Sequence, residues 1–499
     1  MTTWHNHLPI GMNAQDYEIK LTETLPSLWA NIWRKSPQRN VLYDEDSGWV
    51  TGGDLLRRSE LAARKLSAAG IVSGDRVVLS GPSSTDFVIC HVAILRLGCV
   101  VVPANGAYRE KEIKHVIQDS RPAAAIVDNS EWEPWIKNIN PAIIVTSSKM
   151  SLPDGPAIPL DQVNSEEPAY IGYTSGTTGR PKGALLSHLN LLSSVRALEL
   201  AWRWVKDDTL ILTLPLFHMH GLGVGLHGGL TVGCKIILQK SFDPEKVIEA
   251  SEQFEASMFF GVPTMYSRLV ESPRAHELKR LRLCVSGSAP LPADLHVKFE
   301  EITGQKVLER YGMTETVMLV SNPYDLERRP GSVGFPLPGV EVRLSIELSE
   351  IEVSGPNIFG GYWENPDANS EAFNDGWFKT GDIGQLDDDG YLSIVGRAKE
   401  LIISGGYNVY PREVEDVLNQ HPDVLECAVV GEMSGEWGEI VVAYVVSDRQ
   451  FDDEELKLFA GTYLADFKRP RFTYGVDALP RNALGKVQKH RLMDGNVTD

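Results

Sequence analysis

Cysteine is scarce in this 499-residue sequence: Cys90, Cys99, Cys234, Cys284 and Cys427 are odd in number and widely spaced, with no Cys-x-x-Cys pair. That excludes a disulfide framework and a structural zinc site as the basis of the fold, and predicts reduced thiols in a cytoplasmic protein. Positive charge is also in short supply. Lys and Arg total 48 against 67 Asp and Glu, a formal balance of −19, so neither a nucleic-acid face nor an anionic-membrane face is expected. Met1 to Lys20 has no basic stretch leading into an apolar one, so no secretory signal is expected. The longest stretch without Asp, Glu, Lys or Arg, Thr209 to Cys234, is broken by Pro215, His218, His220, His227 and six glycines, which argues against a membrane span. Short-period repeats and low-complexity tracts are missing as well, which removes solenoids.

What is present is ordinary globular composition, 42% hydrophobic and 23% charged. Over residues 54 to 310, short β-branched apolar runs alternate with helical periods. Helices are predicted at Asp54 to Ala69, Thr85 to Leu97 and Arg109 to Asp119, and strands at Arg76 to Ser80, Cys99 to Pro103 and Ala123 to Val127. Lys235 to Gln239 followed by Pro244 to Glu252 repeats the pattern. Wholly apolar strands separated by helices imply buried, largely parallel sheets. The expected fold class is α/β: a large N-terminal domain of two layered α/β sheets plus a β-rich subdomain (about 331–396), then a small mobile α+β C-terminal domain. The predicted division is 1–396 and 397–499, with the C-terminal unit built on a helix opened by Pro411, strands at Val424 to Val430 and Ile440 to Val446, and a second helix through Leu456, Phe459, Ala460, Tyr463 and Leu464.

The most informative stretch is Tyr173-Thr174-Ser175-Gly176-Thr177-Thr178-Gly179-Arg180-Pro181-Lys182-Gly183. Its glycines let the backbone approach a ligand, its hydroxyls and amides donate to phosphate oxygens, and Lys182 adds a point charge. It is not a Walker A loop, because Lys182 is followed by Gly183 and not by Ser or Thr.

With Tyr311-Gly312-Met313-Thr314-Glu315-Thr316, Tyr391 to Gly396 ahead of Arg397, and Asn482 to Lys486 following in order, the chain from about residue 25 to 492 resembles the adenylate-forming superfamily of acyl-CoA synthetases, luciferases and peptide-synthetase adenylation domains. Within it the sequence is most similar to malonyl-CoA synthetases, through Leu214 to Leu222, Arg282 to Leu291 and Ser321 to Asp325. The resemblance implies an AMP-forming ligase of fatty-acid metabolism that joins a carboxylic acid to coenzyme A, through an acyl-adenylate made from ATP. The implied ATP-binding residues are Thr174, Ser175, Gly176, Thr177, Thr178, Gly179, Lys182, Ser288, Glu309, Arg310, Tyr311, Gly312, Met313, Thr314, Asp382, Arg397 and Lys486. Lys182, Thr314 and Lys486 are the implied catalytic set, Glu315 the Mg²⁺ ligand, and Lys399 the hinge between half-reactions. A carboxylate and a triphosphate repel, so placed cations and one hard divalent ion are what the chemistry requires.

A dicarboxylic acid brings a second charge that must be paired. Arg282, at the head of the apolar strand running to Ser286, is the expected partner, with His218, His220 and Ser286 beside it; malonate, then methylmalonate, is the expected substrate. Other short-chain, medium-chain or aromatic acids are the alternative. CoA phosphates are expected to meet the basic stretch Asp466 to Arg491, whose seven Lys and Arg outnumber two Asp. Two other readings were weighed. Gly223-Val224-Gly225-Leu226-His227-Gly228 fits the dinucleotide pattern G-x-G-x-x-G but lacks a clean strand-turn-helix context. A peptide-synthetase module would need a carrier domain, for which the eight residues after Arg491 leave no room. Oligomeric state is not legible.

Overall fold

The computed structural model describes residues 3–9, 11–12, 23–174, 180–404, 406–434, 438–449, 453–481 and 486–493. Two compact units emerge, Met1–Glu341 with Val353–Phe378, and Val342–Glu352 with Lys379–Asp499.

The first unit contains two large sheets. One has the strand order Phe335–Pro336, Val320–Ser321, Val307–Tyr311, Leu283–Ser286, Met258–Gly261, Thr209–Leu212, Lys235–Leu238, Asn40–Asp44, Gly48–Thr51. Its central strands run parallel, for example Phe259 beside Cys284 and Val285 beside Leu308. The other orders Ile144–Thr146, Ala124–Val127, Arg76–Ser80, Val100–Pro103, Pro168–Thr174, Lys182–Ser187 and is parallel except for the final antiparallel pair. Val100–Pro103 and Ala124–Val127 are apolar and buried at every position, as strands covered on both faces are, and as the alternation predicted. Helix Thr85–Arg96 is the extreme case: every residue but Asp86 is buried, and it packs against helices Leu25–Lys35 and Gly52–Ala68 and against strands of both sheets. Ser84 caps it by accepting from Phe87 N.

The uncharged stretch from Thr209 is explained by the same layering. It forms strand Thr209–Leu212, π-helix His220–Leu226 and helix His227–Val232, almost wholly buried. Among the described residues no helix is long and apolar enough to cross a membrane. Gly223 to Gly228 lie inside the two consecutive helical segments, not in a strand-to-helix turn, so the dinucleotide-loop reading fails on geometry.

In the second unit, strands Tyr407–Val409, Ile402–Ser404, Gly438–Val446 and Glu426–Ser434 form a sheet, with Phe472–Gly475 parallel to Gly438–Val446. Helices Pro411–Leu418 and Asp453–Tyr463 close one face over Val429, Val441, Ala443 and Val445. The hairpin Trp377–Leu386 with Leu392–Arg397 groups mostly with this unit. The tie is local: Arg412 Nη1 donates to Ile394 O (2.6 Å) and Tyr410 packs on Gly396.

Candidate active site

The site residues of the first unit gather where strand ends and loops meet. Strands Pro168–Thr174 and Lys182–Ser187 are paired, with Thr174 opposite Lys182. Ser175, Gly176, Thr177, Thr178 and Gly179 lie outside the described residues. Thr174 Oγ1 donates to Glu315 Oε1 (3.4 Å), and the Tyr362 hydroxyl donates to the same oxygen (3.0 Å). Lys182 Nζ stands 5.1 Å from the Tyr362 ring centre. The Tyr362 hydroxyl is held well above the ordinary tyrosine range by burial, reinforced by Glu315, so it remains a donor. Gly172 is there for close approach: a Cβ on it would come within 2.5 Å of Thr314 Cγ2. One cation, one carboxylate and two hydroxyls therefore converge. Glu315, only 5% exposed, fits a Mg²⁺ ion that takes one protein carboxylate and completes its shell with phosphate oxygens and water.

Strand Val307–Tyr311 supplies Glu309, Arg310 and Tyr311. Glu309 Oε1 accepts from Leu291 N (3.0 Å), which secures the turn after Ser288. Tyr311 is buried beside strand Val320–Ser321. Gly312, Met313 and Thr314 follow directly, Met313 N donating to Thr316 Oγ1 (3.4 Å). Arg310 is buried, and among the described residues its Nε and Nη2 have no hydrogen-bond partner. Burial lowers its pKa from 12.5 to about 9. The guanidinium lies flat against Gly287, where any side chain would collide with it.

His218 and His220 share this neighbourhood. Burial, then the Arg310 charge, brings His218 to about 4 and His220 well below 6.5, so both rings are neutral at physiological pH. His220 N donates to His218 Nδ1 (3.3 Å), Ser288 Oγ lies 3.3 Å from His220 Nδ1, and His220 Nε2 and Ser286 Oγ are buried without partners among the described residues. Ser288 has φ 70°, a left-handed conformation that a non-glycine residue rarely adopts.

Arg282 does not belong to this group, which corrects the sequence expectation. It precedes strand Leu283–Ser286, at the opposite end from Ser286. Its Nε and Nη2 bind Asp208 Oδ1 and Oδ2 (2.7 and 2.5 Å), Nη1 donates to Trp202 O (3.1 Å), Nη2 also to Arg203 O (3.0 Å), and the Tyr324 ring covers it at 5.4 Å. Four of its five N–H donors are thus committed to Asp208, Trp202 and Arg203. Sequence pattern could not show that Asp208, 74 residues away, takes this guanidinium.

In the second unit, Asp382 and Arg397 face each other across the hairpin, with Arg397 Nε 2.9 Å from Asp382 Oδ1. Lys486 is lowered from its ordinary value by desolvation, then by Arg397, while Asp382 and Glu400 pull it back. Lys489 is gripped by Glu415 (2.7 Å) and Glu400 (3.2 Å). Lys399 is exposed in the short turn Ala398–Glu400 directly after Arg397. Asn482 to Gly485 lie outside the described residues. The expected basic face for CoA is largely compensated: Lys468 pairs with Glu413, Arg469 and Arg471 with Asp466, Arg481 with Glu426 and Lys489 as above. Tyr362 was missed at the sequence level; its signal was only that it follows the Gly360-Gly361 pair.

Comparison with known proteins gives the family. Residues 29–363 match the AMP-binding enzyme family and residues 413–486 the AMP-binding enzyme C-terminal domain. The chain is similar to a feruloyl-CoA synthase of Amycolatopsis (36% identical, 88% of this chain, 92% of the relative) and to a mitochondrial malonate–CoA ligase of Xenopus laevis (34%, 91% and 89%). It is also similar to the crystal structure of ATP-bound MatB from Rhodopseudomonas palustris (TM-score 0.88, 37% identical, 94% and 98% covered). The chain therefore belongs to the AMP-binding enzyme family, as an ATP-dependent acyl-CoA ligase of the adenylate-forming type.

Proposed function

We propose that the acid activated is a short dicarboxylate, malonate first and methylmalonate next, and that Arg310 receives the carboxylate that does not react. The observation that carries this is the buried guanidinium with Nε and Nη2 unpartnered among the described residues. A buried cation without an anion is costly, and a planar fork of donors matches a carboxylate. Neutral His218 and His220 and the hydroxyls of Ser286 and Ser288 add donors without adding charge. Arg310 thus moves, in this reading, from the nucleotide set to the acid pocket. Relatives of comparable identity are named for ferulate and for malonate, so overall similarity does not choose between them and the pocket chemistry must.

In the first half-reaction the reacting carboxylate attacks the α-phosphate of ATP and pyrophosphate leaves. Lys182 and Thr174 are assigned to the outer phosphates, Thr314 to the reacting end, Tyr311 to adenine, and Asp382 and Arg397 to the ribose. Mg²⁺ at Glu315 would neutralise phosphate charge. Lys486 would bridge the carboxylate and α-phosphate. In the second half-reaction the CoA thiol displaces AMP, with Lys399 as the backbone pivot between the two steps. The test is to supply ATP, magnesium and CoA with malonate, methylmalonate, oxalate, acetate, octanoate or ferulate and identify thioesters by mass. Malonyl-CoA as the main product is expected; preferential turnover of acetate, octanoate or ferulate refutes the assignment.

A further inference from the structure

Around Glu315, the other side chains of the phosphate-facing site come from three segments: Thr174, Lys182 and Tyr362. One helix, Glu110–Ser120, touches the neighbours of all three. His115 Nε2 donates to Pro181 O (2.8 Å), one residue before Lys182, and its ring meets Tyr173 edge-on at 5.7 Å. The Tyr173 hydroxyl, one residue before Thr174, donates to Asp119 Oδ2 (2.6 Å). Asp119 O accepts from Trp363 Nε1 (3.2 Å), and Trp363 N donates to Gly183 O (2.7 Å). Buried interior packing does not account for these ties. His115 and Asp119 are only partly buried, and each reaches a residue adjacent to one that bears a site side chain.

We propose that His115 and Asp119 are positioning residues for ATP: they fix Pro181 and Tyr173, and so set the adjacent Lys182 and Thr174 against Glu315 before the nucleotide arrives. The inference rests on the reading of Lys182, Thr174 and Glu315 as the phosphate side of the site. Rigid placement of these groups lowers the ordering cost of binding ATP, whereas neither His115 nor Asp119 contacts the residues assigned to the acid. ATP affinity and acid affinity should therefore separate.

The experiment measures ATP–pyrophosphate exchange in His115→Phe, His115→Gln, Tyr173→Phe and the His115→Phe/Tyr173→Phe pair, with melting temperature recorded for each. His115→Phe keeps a ring and removes the donor, and one lost hydrogen bond corresponds to about a five- to tenfold rise in KM for ATP. KM for the acid should change less than twofold, and thioester formation from supplied acyl-adenylate should be unchanged. His115→Gln, which places an amide N–H near the Nε2 position, should recover most of the ATP affinity. Tyr173→Phe, which removes a single oxygen, should show the same ATP-only effect, and the pair should fall short of the product of the two because both act on one segment. An unchanged KM for ATP in His115→Phe overturns the inference, as does an equal rise in both KM values with a lower melting temperature. Absence of exchange in the unaltered chain with every acid would instead refute the functional reading, and this inference with it.

Discussion

Replacing Arg310 with methionine should exchange function for stability. At neutral pH the folded chain holds this guanidinium charged in a site that lowers its pKa from 12.5 to about 9. At 1.36 kcal/mol per pH unit, that difference is about 5 kcal/mol of destabilisation. The sign follows from the direction: below about pH 9 the folded state bears the whole cost, and it is relieved only as pH rises toward 12.5. Arg310→Met removes the charge but leaves some empty volume, which costs about 1–3 kcal/mol, so the variant should melt a few degrees higher. Catalysis should move the other way. A carboxylate brought into the same pocket without its cation loses about 3–5 kcal/mol, so kcat/KM for malonate should fall by about 10²- to 10³-fold. Propionate or butyrate, which strand the guanidinium in the native enzyme, should be used at least as well as before. Saturating malonate should raise the melting temperature of the native chain but not of the variant. Steady-state kinetics on malonate and propionate, with thermal shift, cover all of these. Malonate turnover within threefold of native, or an equal loss for malonate and propionate, refutes the reasoning; the second outcome would return Arg310 to the nucleotide set.

Lys486→Ala should lower acyl-adenylate formation by about 10²- to 10³-fold while leaving thioester formation from supplied acyl-adenylate intact, as rapid-quench assays of the separate steps would report; equal loss in both contradicts the assigned role. Arg282→Met should leave the ranking of acids unchanged but destabilise the fold by about 3–5 kcal/mol, because Asp208, whose side chain is 4% exposed, loses its partner. Denaturant unfolding checks this, and a shift in acid preference would count against it. His7, His91 and His188 are lowered by burial from 6.5 to about 4, 3 and 4. Their neutral folded forms must compete below pH 6.5 with a protonated unfolded chain, so stability should be full above about 6.5 and fall steadily toward pH 4. Melting temperatures at pH 7.5, 6 and 5 that stay level would contradict that.

The layered α/β fold was legible because burial on both faces leaves a direct mark on composition. Val100 to Pro103 and Ala124 to Val127 are apolar at every position, and a strand that faced water on one side could not be. Helix ends were similarly readable, since Ser84 and Asp243 are side-chain caps that announce themselves. Thr174, Lys182 and Glu315, each singled out by residue type in the sequence, stand near one another in the structure. What could not be read was long-range pairing. Arg282 precedes one parallel strand and Arg310 lies in the next, and only three-dimensional pairing reveals that Asp208 binds the first while Nε and Nη2 of the second meet no partner among the described residues. Long-range partners such as Tyr362 for Glu315, or Glu413 for Lys468, leave no local trace because 47 and 55 residues separate them.

The most direct test of the central claim is ATP–pyrophosphate exchange without CoA, using malonate and acetate as the paired acids at equal concentration. Malonate-dependent return of labelled pyrophosphate into ATP, at least a hundredfold faster than with acetate, is the predicted result. Exchange that proceeds as well with acetate, or fails with malonate, would contradict it.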